Sequence, residues 1–437
     1  MKKLLLLLLL TPSLLMAQSN GLTLAEVRSM VLDGNPSVQE SIQRIAAAEA
    51  VLKQARSAYF PNISLEANYG IVDMSLHPDA YPDIRVSDSF SQGYGGVKGN
   101  WLIFDGFVRE ARTLGAEYGV QQRRELSDET RRLLILSATV SFRQAQLAKE
   151  NMKIAEQDYK FNTNLEGDAQ KRFKVGSLPE ADVHNFSIRA LKAESAFLQG
   201  KLNFKTACTV LSELMALPES QLPTDMNPVS IIFGAVPEVP MMEGEFDYAL
   251  SHRPDYKALK SGQLILAQQV RAVKGDLMPK VQMVGEVNYI DRTGLATVSH
   301  HGNYDSFVGV AASWDIFTGG RKVNKVEEAE AEMRALEQQQ EAMRLSIRSS
   351  LQQRIDEADT SKAIFHRQEK IYALSQSVRD SVEKSYKAGI SPITRLNESQ
   401  TDLIRAKGAF STSFIAYQLS LNTLEIETGR VLEKSSL

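Results

Sequence analysis

The sequence predicts a mainly helical protein with a small β component, built from a duplicated helix–strand–strand–helix unit. Three observations support this fold class. Motifs in the first half recur in the second half, in the same order and at nearly the same spacing. Residues 321–388 contain neither glycine nor proline, which indicates a very long helix. Four shorter segments alternate apolar and polar side chains, as β-strands with one apolar face do.

The first 17 residues have the pattern of a secretory signal peptide. Lys2 and Lys3 give a positive start, residues 4–16 are mostly apolar, and Ala17 provides a small residue at the predicted cleavage position. The apolar run is too short to span a bilayer. We therefore expect residues 1–17 to be removed and the protein to leave the cytoplasm.

Composition restricts the remaining possibilities. The 437 residues are 43% hydrophobic and 24% charged, with a formal net charge of −3. This balance does not suggest a basic surface for nucleic acid. The mean hydropathy of −0.23 argues against a bundle of membrane-spanning helices. Cys208 is the only cysteine, which excludes a disulfide framework and cysteine-based zinc sites.

The duplication is carried by four motifs that recur in the same order. Two of them share one offset between the halves and the other two share a slightly smaller one, so a single short gap explains all four. The pairs are Asn35-Pro36 and Arg253-Pro254, Pro61 and Pro279, Trp101–Gly106 and Trp314–Gly319, and Lys171–Gly176 and Lys384–Gly389. Their shared order and spacing predict that the two halves have the same fold.

These motifs set the predicted domain boundaries. Repeat 1 is expected at residues 18–217 and repeat 2 at 244–429, followed by a short tail at 430–437. The connector between the repeats, residues 218–243, holds five of the 14 prolines of the chain. We expect it to have little regular structure, because proline disrupts helix and sheet interiors.

Each repeat is predicted to begin with one helix and to contain a second, much longer one. The first helix of repeat 1 extends from about Leu24 to Ala58, with a break before Pro36, because the residue preceding proline avoids the helical region. The long helices are expected at about 107–174 and 321–388. The second of these would be roughly 100 Å long.

Both long helices are predicted to end at the same kind of turn. Gly176 and Gly389 are each followed closely by a proline, Pro179 and Pro392, and glycine followed by proline is a strong helix-stop pattern. Return helices are then expected at about 180–217 and 393–428.

Four strands are predicted between these helices, at about 62–72, 94–104, 280–290 and 306–317. In the first strand Ile63, Leu65 and Tyr69 alternate with polar residues. Such segments fit the wall of a membrane barrel, with lipid on one side and water on the other. A half-buried sheet of a soluble protein gives the same alternation. The signal peptide and the position of Trp101 and Trp314 near strand ends, where an aromatic belt would lie, favour the membrane.

Four strands are too few to close a barrel, because the smallest membrane barrels have about eight. A sheet with open edges is not stable in lipid, since every unpaired backbone group costs several kcal/mol. Three copies of the chain would supply twelve strands. We therefore expect a homotrimer.

From about Leu22 to Gly429 the chain resembles the TolC-type outer-membrane efflux proteins. The resemblance rests on the duplicated order of elements, on the hairpin borders Ala58–Pro61 and Trp101–Gly106, and on the turns Lys174–Gly176 and Lys387–Gly389. It implies twelve strands through the outer membrane and a twelve-helix tunnel across the periplasm. It also implies two partners, a periplasmic adaptor (membrane fusion) protein and an inner-membrane pump.

The resemblance assigns two roles to the helix turns. Residues at the tips of the turns would dock the adaptor, and residues beyond them would close the tunnel. The docking residues are Val175, Gly176, Pro179, Ala388, Gly389 and Pro392.

For the gate, the family pattern has an aspartate, a tyrosine and an arginine at fixed distances from the turn glycines. Asp182 and Tyr386 match the first two positions, and Ser391 stands in place of the arginine. Two acidic residues that narrow the pore correspond to Arg395 and Glu398, so only one of them is acidic here. An ordinary alternative for Asp182 and Glu398 is a solvated carboxylate near a helix start, where the dipole favours negative charge.

Other polar residues carry weaker signals. His300 and His301 lie in the predicted hairpin loop 293–304 and could bind a metal, although adjacent histidines in a polar loop are usually surface residues. Cys208 is expected to be a small core residue. The sequence contains no Gly-rich phosphate loop, zinc-hydrolase pattern or nucleophile elbow. We therefore expect no enzymatic activity, no cofactor and no metal site.

The predicted function is a passive outer-membrane exit duct for a tripartite efflux or type I secretion system. The alternative is a periplasmic coiled-coil adaptor or scaffold, which also has long helices and a Gly–Pro turn. An adaptor would place one helical hairpin among compact β-domains, whereas here two strand hairpins lie inside two helical repeats. The exported substrate stays open, because drugs, metals and polypeptides would use the same kind of tunnel.

Overall fold

The computed structural model describes residues 21–76, 86–218, 222, 237–293 and 301–434. The predicted signal peptide, most of the predicted connector and His300 lie outside the described residues. The helices are α1 (Leu24–Gly34), α2 (Pro36–Ser57), α3 (Val108–Lys174), α4 (Glu180–Leu214), α5 (Met242–His252), α6 (Pro254–Gly275), α7 (Arg321–Lys387), α8 (Ile393–Glu427) and α9 (Arg430–Lys434). The strands are β1 (Asn62–Leu76), β2 (Val86–Phe104), β3 (Lys280–Thr293) and β4 (His301–Ser313).

The helix lengths confirm the duplication. The helices α1 and α5 both have 11 residues, and α2 and α6 both have 22 residues. The long helices α3 and α7 both have 67 residues, and the return helices α4 and α8 both have 35 residues. Along the described chain, no helix combines the length and the apolarity needed to cross a membrane.

The helix expected from Leu24 to Ala58 is divided at Asn35. This residue is extended (φ −71°, ψ 127°) because Pro36 follows it. Its side chain compensates for the break, accepting a hydrogen bond from the Ser37 backbone N–H and donating one to the Leu214 carbonyl. The interruption is therefore stabilised by polar contacts on both sides.

The two long helices end in the same backbone motif. Gly176 has φ +75°, and its N–H donates to the Phe173 carbonyl while the next N–H reaches the Arg172 carbonyl. Gly389 also has φ +75° and repeats both bonds at the equivalent turn of repeat 2. Glycine is favoured here because a left-handed backbone with two such bonds is a Schellman cap.

The chain packs as two compact units. One, called the helical unit, contains the described residues of 1–39, 130–252 and 347–437. The other, called the hairpin unit, contains the described residues of 40–129 and 253–346 and includes all four strands.

In the helical unit each long helix packs against its own return helix. Tyr159 of α3 stacks on Phe197 of α4 with ring centroids 6.2 Å apart. The equivalent pair of repeat 2, Tyr372 and Phe410, stacks at 5.4 Å between α7 and α8. The two repeats therefore use the same aromatic contact to hold their helix pairs together.

In the hairpin unit the four strands form one antiparallel sheet in the order β1-β2-β3-β4. The strand predicted at 94–104 begins earlier, at Val86, because its Ser- and Gly-rich first half pairs with β1 although it lacks apolar alternation. The strand predicted at 306–317 is shifted and ends at Ser313. Ser313 pairs with Lys280, the first residue of β3, and the following residue, Trp314, donates its indole N–H to the Leu277 carbonyl.

Candidate functional site

One face of the sheet is predominantly apolar, with Ser306 opposite Val287 as a polar exception. Leu65 lies beside Val97, Val97 beside Val287, and Gly285 beside Val308, so the apolar positions of all four strands fall on the same side. These side chains are exposed in the single chain, with Leu65 at 81%. An exposed apolar surface of this kind marks contact with lipid or with another protein.

The opposite face of the sheet carries most of its polar side chains, together with a few apolar ones such as Phe307, which lies opposite Glu286. Lys98 lies directly opposite Glu286 of β3, and Glu66 of β1 is its diagonal neighbour. The Tyr94 hydroxyl donates a hydrogen bond to the Asn288 side-chain oxygen at 2.8 Å. The sheet thus separates an apolar side from a side that is compatible with water.

Trp101 and Trp314, the predicted aromatic belt, occupy equivalent positions at the helix–strand junctions. The Trp101 indole N–H donates to the Tyr59 carbonyl at 3.0 Å, and Trp314 makes the same bond to Leu277, also at 3.0 Å. Both rings are about half exposed. A polar contact at one edge and an exposed apolar ring suit the boundary between lipid and water.

The pairing of the strands brings a second row of aromatic residues together, which the sequence had predicted only in part. Tyr69, Tyr289 and Tyr304 lie on the apolar face, and the last two are 4.8 Å apart at their ring centroids. On β3, the stretch from Met283, opposite Trp101, to Tyr289 spans about 20 Å of strand. This spacing approaches the height of the apolar band of outer-membrane barrels.

Two cations at the start of the long helices, which sequence reasoning missed, hold the junctions. Arg109 donates hydrogen bonds to the carbonyls of Ala58, Leu102 and Ile103, and its guanidinium lies 4.7 Å from the Tyr59 ring centroid. Lys322, its repeat equivalent, donates to the Asp276 carbonyl at 2.7 Å. The sequence did contain a signal for these two residues, because a basic residue stands at the same position in both repeats.

At the turns, the structure brings Tyr386 of α7 to Arg172 of α3. The Arg172 guanidinium donates to the Tyr386 hydroxyl at 3.5 Å and lies 5.5 Å from the ring centroid. Asp182 lies half-buried in the first turn of α4, and within the described residues no hydrogen bond joins it to Tyr386. Arg172 was noted in the sequence only as part of a repeated motif.

The remaining predicted gate residues lie at the start of α8. Arg395 and Glu398 are exposed, whereas Ser391 is half-buried. The Ser391 hydroxyl is enclosed and has no hydrogen-bond partner among the described residues. The role of these positions in closing a pore stays a prediction.

The predicted docking residues are exposed at the tips of both turns. Val175 is 78% exposed, and the two prolines and two glycines beside the turns are also accessible. The structure adds Ile390, 81% exposed, which sequence reasoning did not single out. Each turn thus presents one large apolar side chain.

The other candidates have structural explanations or lie outside the described residues. Cys208 is buried, and burial raises the pKa of its thiol to about 11, so the thiol stays protonated at neutral pH. Among the residues that the structure describes, no group of three His, Cys, Asp or Glu side chains is arranged to hold a metal ion. His301 begins β4.

Comparison with known proteins extends over nearly the whole chain. The family model of the outer membrane efflux protein matches residues 27–217 and 246–430, one segment in each repeat. The outer membrane protein TolC of Vibrio cholerae serotype O1 is 22% identical over 417 residues, which cover 94% of this chain and 91% of that protein.

Solved structures of outer-membrane channels have the same fold. The channel OprN aligns with a TM-score of 0.76 and 17% identity, covering 93% of this chain and 89% of that one. CmeC of Campylobacter jejuni aligns with a TM-score of 0.77 and 13% identity, covering 94% and 89%. Because the family model matches both repeats, the chain belongs to the outer membrane efflux protein family.

Proposed function

We propose that three copies of this outer-membrane efflux protein join their sheets into one closed barrel and form a passive exit duct. The observation that carries the proposal is the sheet itself, with one predominantly apolar face and one predominantly polar face. Its outer strands, β1 and β4, have one unpaired edge each within the described chain. In lipid those edges must be paired, and copies of the same chain can pair them.

The number three follows from the size of the barrel. Two copies would give eight strands, and an eight-stranded barrel has an interior that side chains fill. Three copies give twelve strands and leave room for water along the polar face. Glu66, Lys98 and Glu286 would then line the aqueous side.

The duct would do no chemistry of its own. Members of this family are channels rather than enzymes. Channels of the TolC type are trimers that work with an adaptor and an inner-membrane pump, and we assign the same kinds of partner to this chain. Its place in an outer-membrane family favours the duct over the adaptor alternative.

Closure would occur at the turns between the long and return helices. The apolar tips, Val175 and Ile390, would meet the adaptor together with the turn glycines and prolines. Asp182 and Tyr386 would contribute to the closed state, held more weakly than in the usual family pattern because Ser391 replaces an arginine. An adaptor that binds the tips could then separate the turns.

Cysteine labelling tests the proposed barrel. In a Cys208→Ser background, Tyr69→Cys and Tyr289→Cys should react with lipid-phase reagents, whereas Glu66→Cys and Glu286→Cys should react with water-soluble ones. A mixed pattern would contradict the assignment of faces, because a shift of one residue reverses every side chain. The mass of the detergent-solubilised protein tests the number of copies, and a stable monomer or dimer would refute the trimer.

A further inference from the structure

We propose that the hairpin unit contains a binding groove for a soluble amphipathic anion, formed by α2, α3 and α6 and bordered by α7. The ligand class is an organic molecule with one carboxylate or sulfonate head on an apolar body. The inference goes beyond the exit duct, because it names a ligand site on the helices that adjoin the sheet. It is argued from two adjoining cavities, from the cations at their rims and from two glycines.

Two cavities on the helices of the hairpin unit form the groove. One, of about 370 Å³, lies between α3, α6 and α7, and the other, of about 460 Å³, lies between α2, α3 and α6. Gly115 and Ile265 line both cavities, so the two meet at these residues. Each cavity is large enough for a small organic molecule.

The floor of the groove is mostly apolar. Small and aliphatic side chains of α2, α3 and α6 form it, among them Ala47, Val51, Ala116, Ile265, Ala272 and Val273. The uncharged polar lining consists of the amides of Gln122, Gln268 and Gln269. A floor of this kind suits the apolar body of a ligand, and amide N–H groups can donate to its head.

The charge of the groove is positive. Arg112, Arg123 and Lys325 line it, are exposed, and make no ion pair among the described residues. A fourth cation, Arg44, is paired within its own helix. Of the described lining residues only Asp276 is acidic, and it already pairs with a lysine of β3 at 2.9 Å. The groove is therefore complementary to an anion.

The two arginines of α3 border a flat stretch of that helix. Arg112 and Arg123 are about three helical turns apart, so they lie on the same side of α3 with about 16 Å between them. Gly115, Ala116 and Gly119 occupy the same side between the two arginines and line the groove. A ligand can therefore lie along α3 with its head at either cation.

Neither glycine is required by the backbone or by packing within the chain. A Cβ at Gly119 would meet nothing within 4 Å, one at Gly115 would make only an ordinary contact at 3.6 Å, and neither residue has a positive φ. Glycine also weakens a helix interior. The corresponding positions of α7 carry Glu328 and Glu332, whose long acidic side chains would occupy such a groove and repel anions. The groove is therefore specific to repeat 1, where the glycines leave space for a ligand.

A solute from the aqueous phase is a better occupant than a lipid. Arg123 lies about 22 Å along α3 from Val108, the first residue of that helix after β2. The headgroup layer of a bilayer is only roughly 5–7 Å thick on each side, so a lipid headgroup does not reach the Arg123 end. An inorganic anion would leave the apolar floor in water. Both limits point to a soluble amphipathic anion.

Binding of 8-anilinonaphthalene-1-sulfonate tests the cations. The whole mature protein is placed in nanodiscs of zwitterionic lipid, and binding is measured by equilibrium dialysis with the value for empty discs subtracted. Arg112→Gln combined with Arg123→Gln should raise the Kd roughly tenfold, because charge-assisted contacts to the sulfonate are lost. Arg124→Gln is the matched control, since this arginine pairs with Glu49 at 3.0 Å outside the groove, and its Kd should equal that of the wild type.

Filling the groove tests the site without changing its charge. Gly119→Leu places a side chain in open space and should raise the Kd at least roughly tenfold with the fold intact, because it occupies the floor. Gly167→Leu, also in open space on α3 but outside the groove, should bind like the wild type.

Three results would overturn the groove. They are unchanged binding in Gly119→Leu, equal loss in Arg124→Gln, and binding of the cationic amphipath tetraphenylphosphonium as tight as that of the sulfonate. Displacement of the sulfonate by millimolar inorganic phosphate would overturn the need for an apolar body. Because binding is measured without transport, each of these outcomes would leave the exit duct standing.

Discussion

Replacement of Arg109 by methionine should lower the stability of the first helix–strand junction more than Lys322→Met lowers that of the second. Arg109 donates to three carbonyls, of which the Leu102 carbonyl is part-buried and the other two are exposed. We assign about 1.5 kcal/mol to the shielded bond and about 0.5 kcal/mol to each exposed one. With about 0.5 kcal/mol for the cation–π contact to Tyr59, the total is about 3 kcal/mol.

Lys322 provides the internal comparison. It donates to one part-buried carbonyl, that of Asp276, and pairs at 3.2 Å with Asp315, whose side chain is 63% exposed. The carbonyl bond contributes about 1.5 kcal/mol and the exposed ion pair a few tenths of a kcal/mol at most. Lys322→Met should therefore lower the stability of its junction by about half as much as Arg109→Met does.

Tryptophan fluorescence can measure each junction separately, because the chain has only two tryptophans and one lies at each junction. Arg109→Met would be studied with Trp314→Phe, and Lys322→Met with Trp101→Phe, by urea titration in detergent. Each variant is compared with its own single-tryptophan parent. Equal losses at the two junctions, or a loss below about 1 kcal/mol for Arg109→Met, would refute the bond-by-bond estimate.

Two other predictions concern the turns and the sheet. Asp182→Ala combined with Tyr386→Phe should raise single-channel conductance in planar bilayers, and Arg172→Gln should do so as well because it removes the cation that contacts Tyr386; unchanged conductance in both would mean that closure lies elsewhere. Gly96→Ala should lower sheet stability by about 1–3 kcal/mol, since a Cβ there would overlap a neighbouring side chain and carbonyl of β3. Gly95→Ala, which has open space, is the control, and equal heat stability of the two variants in detergent would contradict this account.

The elements that sequence reasoning predicted well are those with local causes. The long helices end at Lys174 and Lys387 because a glycine and then a proline follow, and these signals act over a short stretch of chain. The break at Asn35 follows from Pro36 alone. The duplication could be found in the sequence because motif spacing survives even where few residues are identical.

Strand bounds were predicted less accurately because their cause is not local. The first half of β2 is rich in serine and glycine and has no apolar alternation, yet it is a strand because β1 pairs with its backbone. β4 ends at Ser313 because this residue pairs with Lys280, the first residue of β3, and the partner strand extends no further. Contacts with distant parts of the chain decided both limits.

The sequence by itself determined the duplicated helical fold, the helix turns and the apolar and polar faces of the strands, because each depends on residue type and spacing along the chain. Only the tertiary structure decided that β2 pairs with β3 across the two repeats, that Arg109 and Lys322 hold the junctions, and that Tyr386 meets Arg172. These contacts join residues that are far apart in sequence or on different elements. Their geometry depends on how the elements pack, which no local pattern encodes.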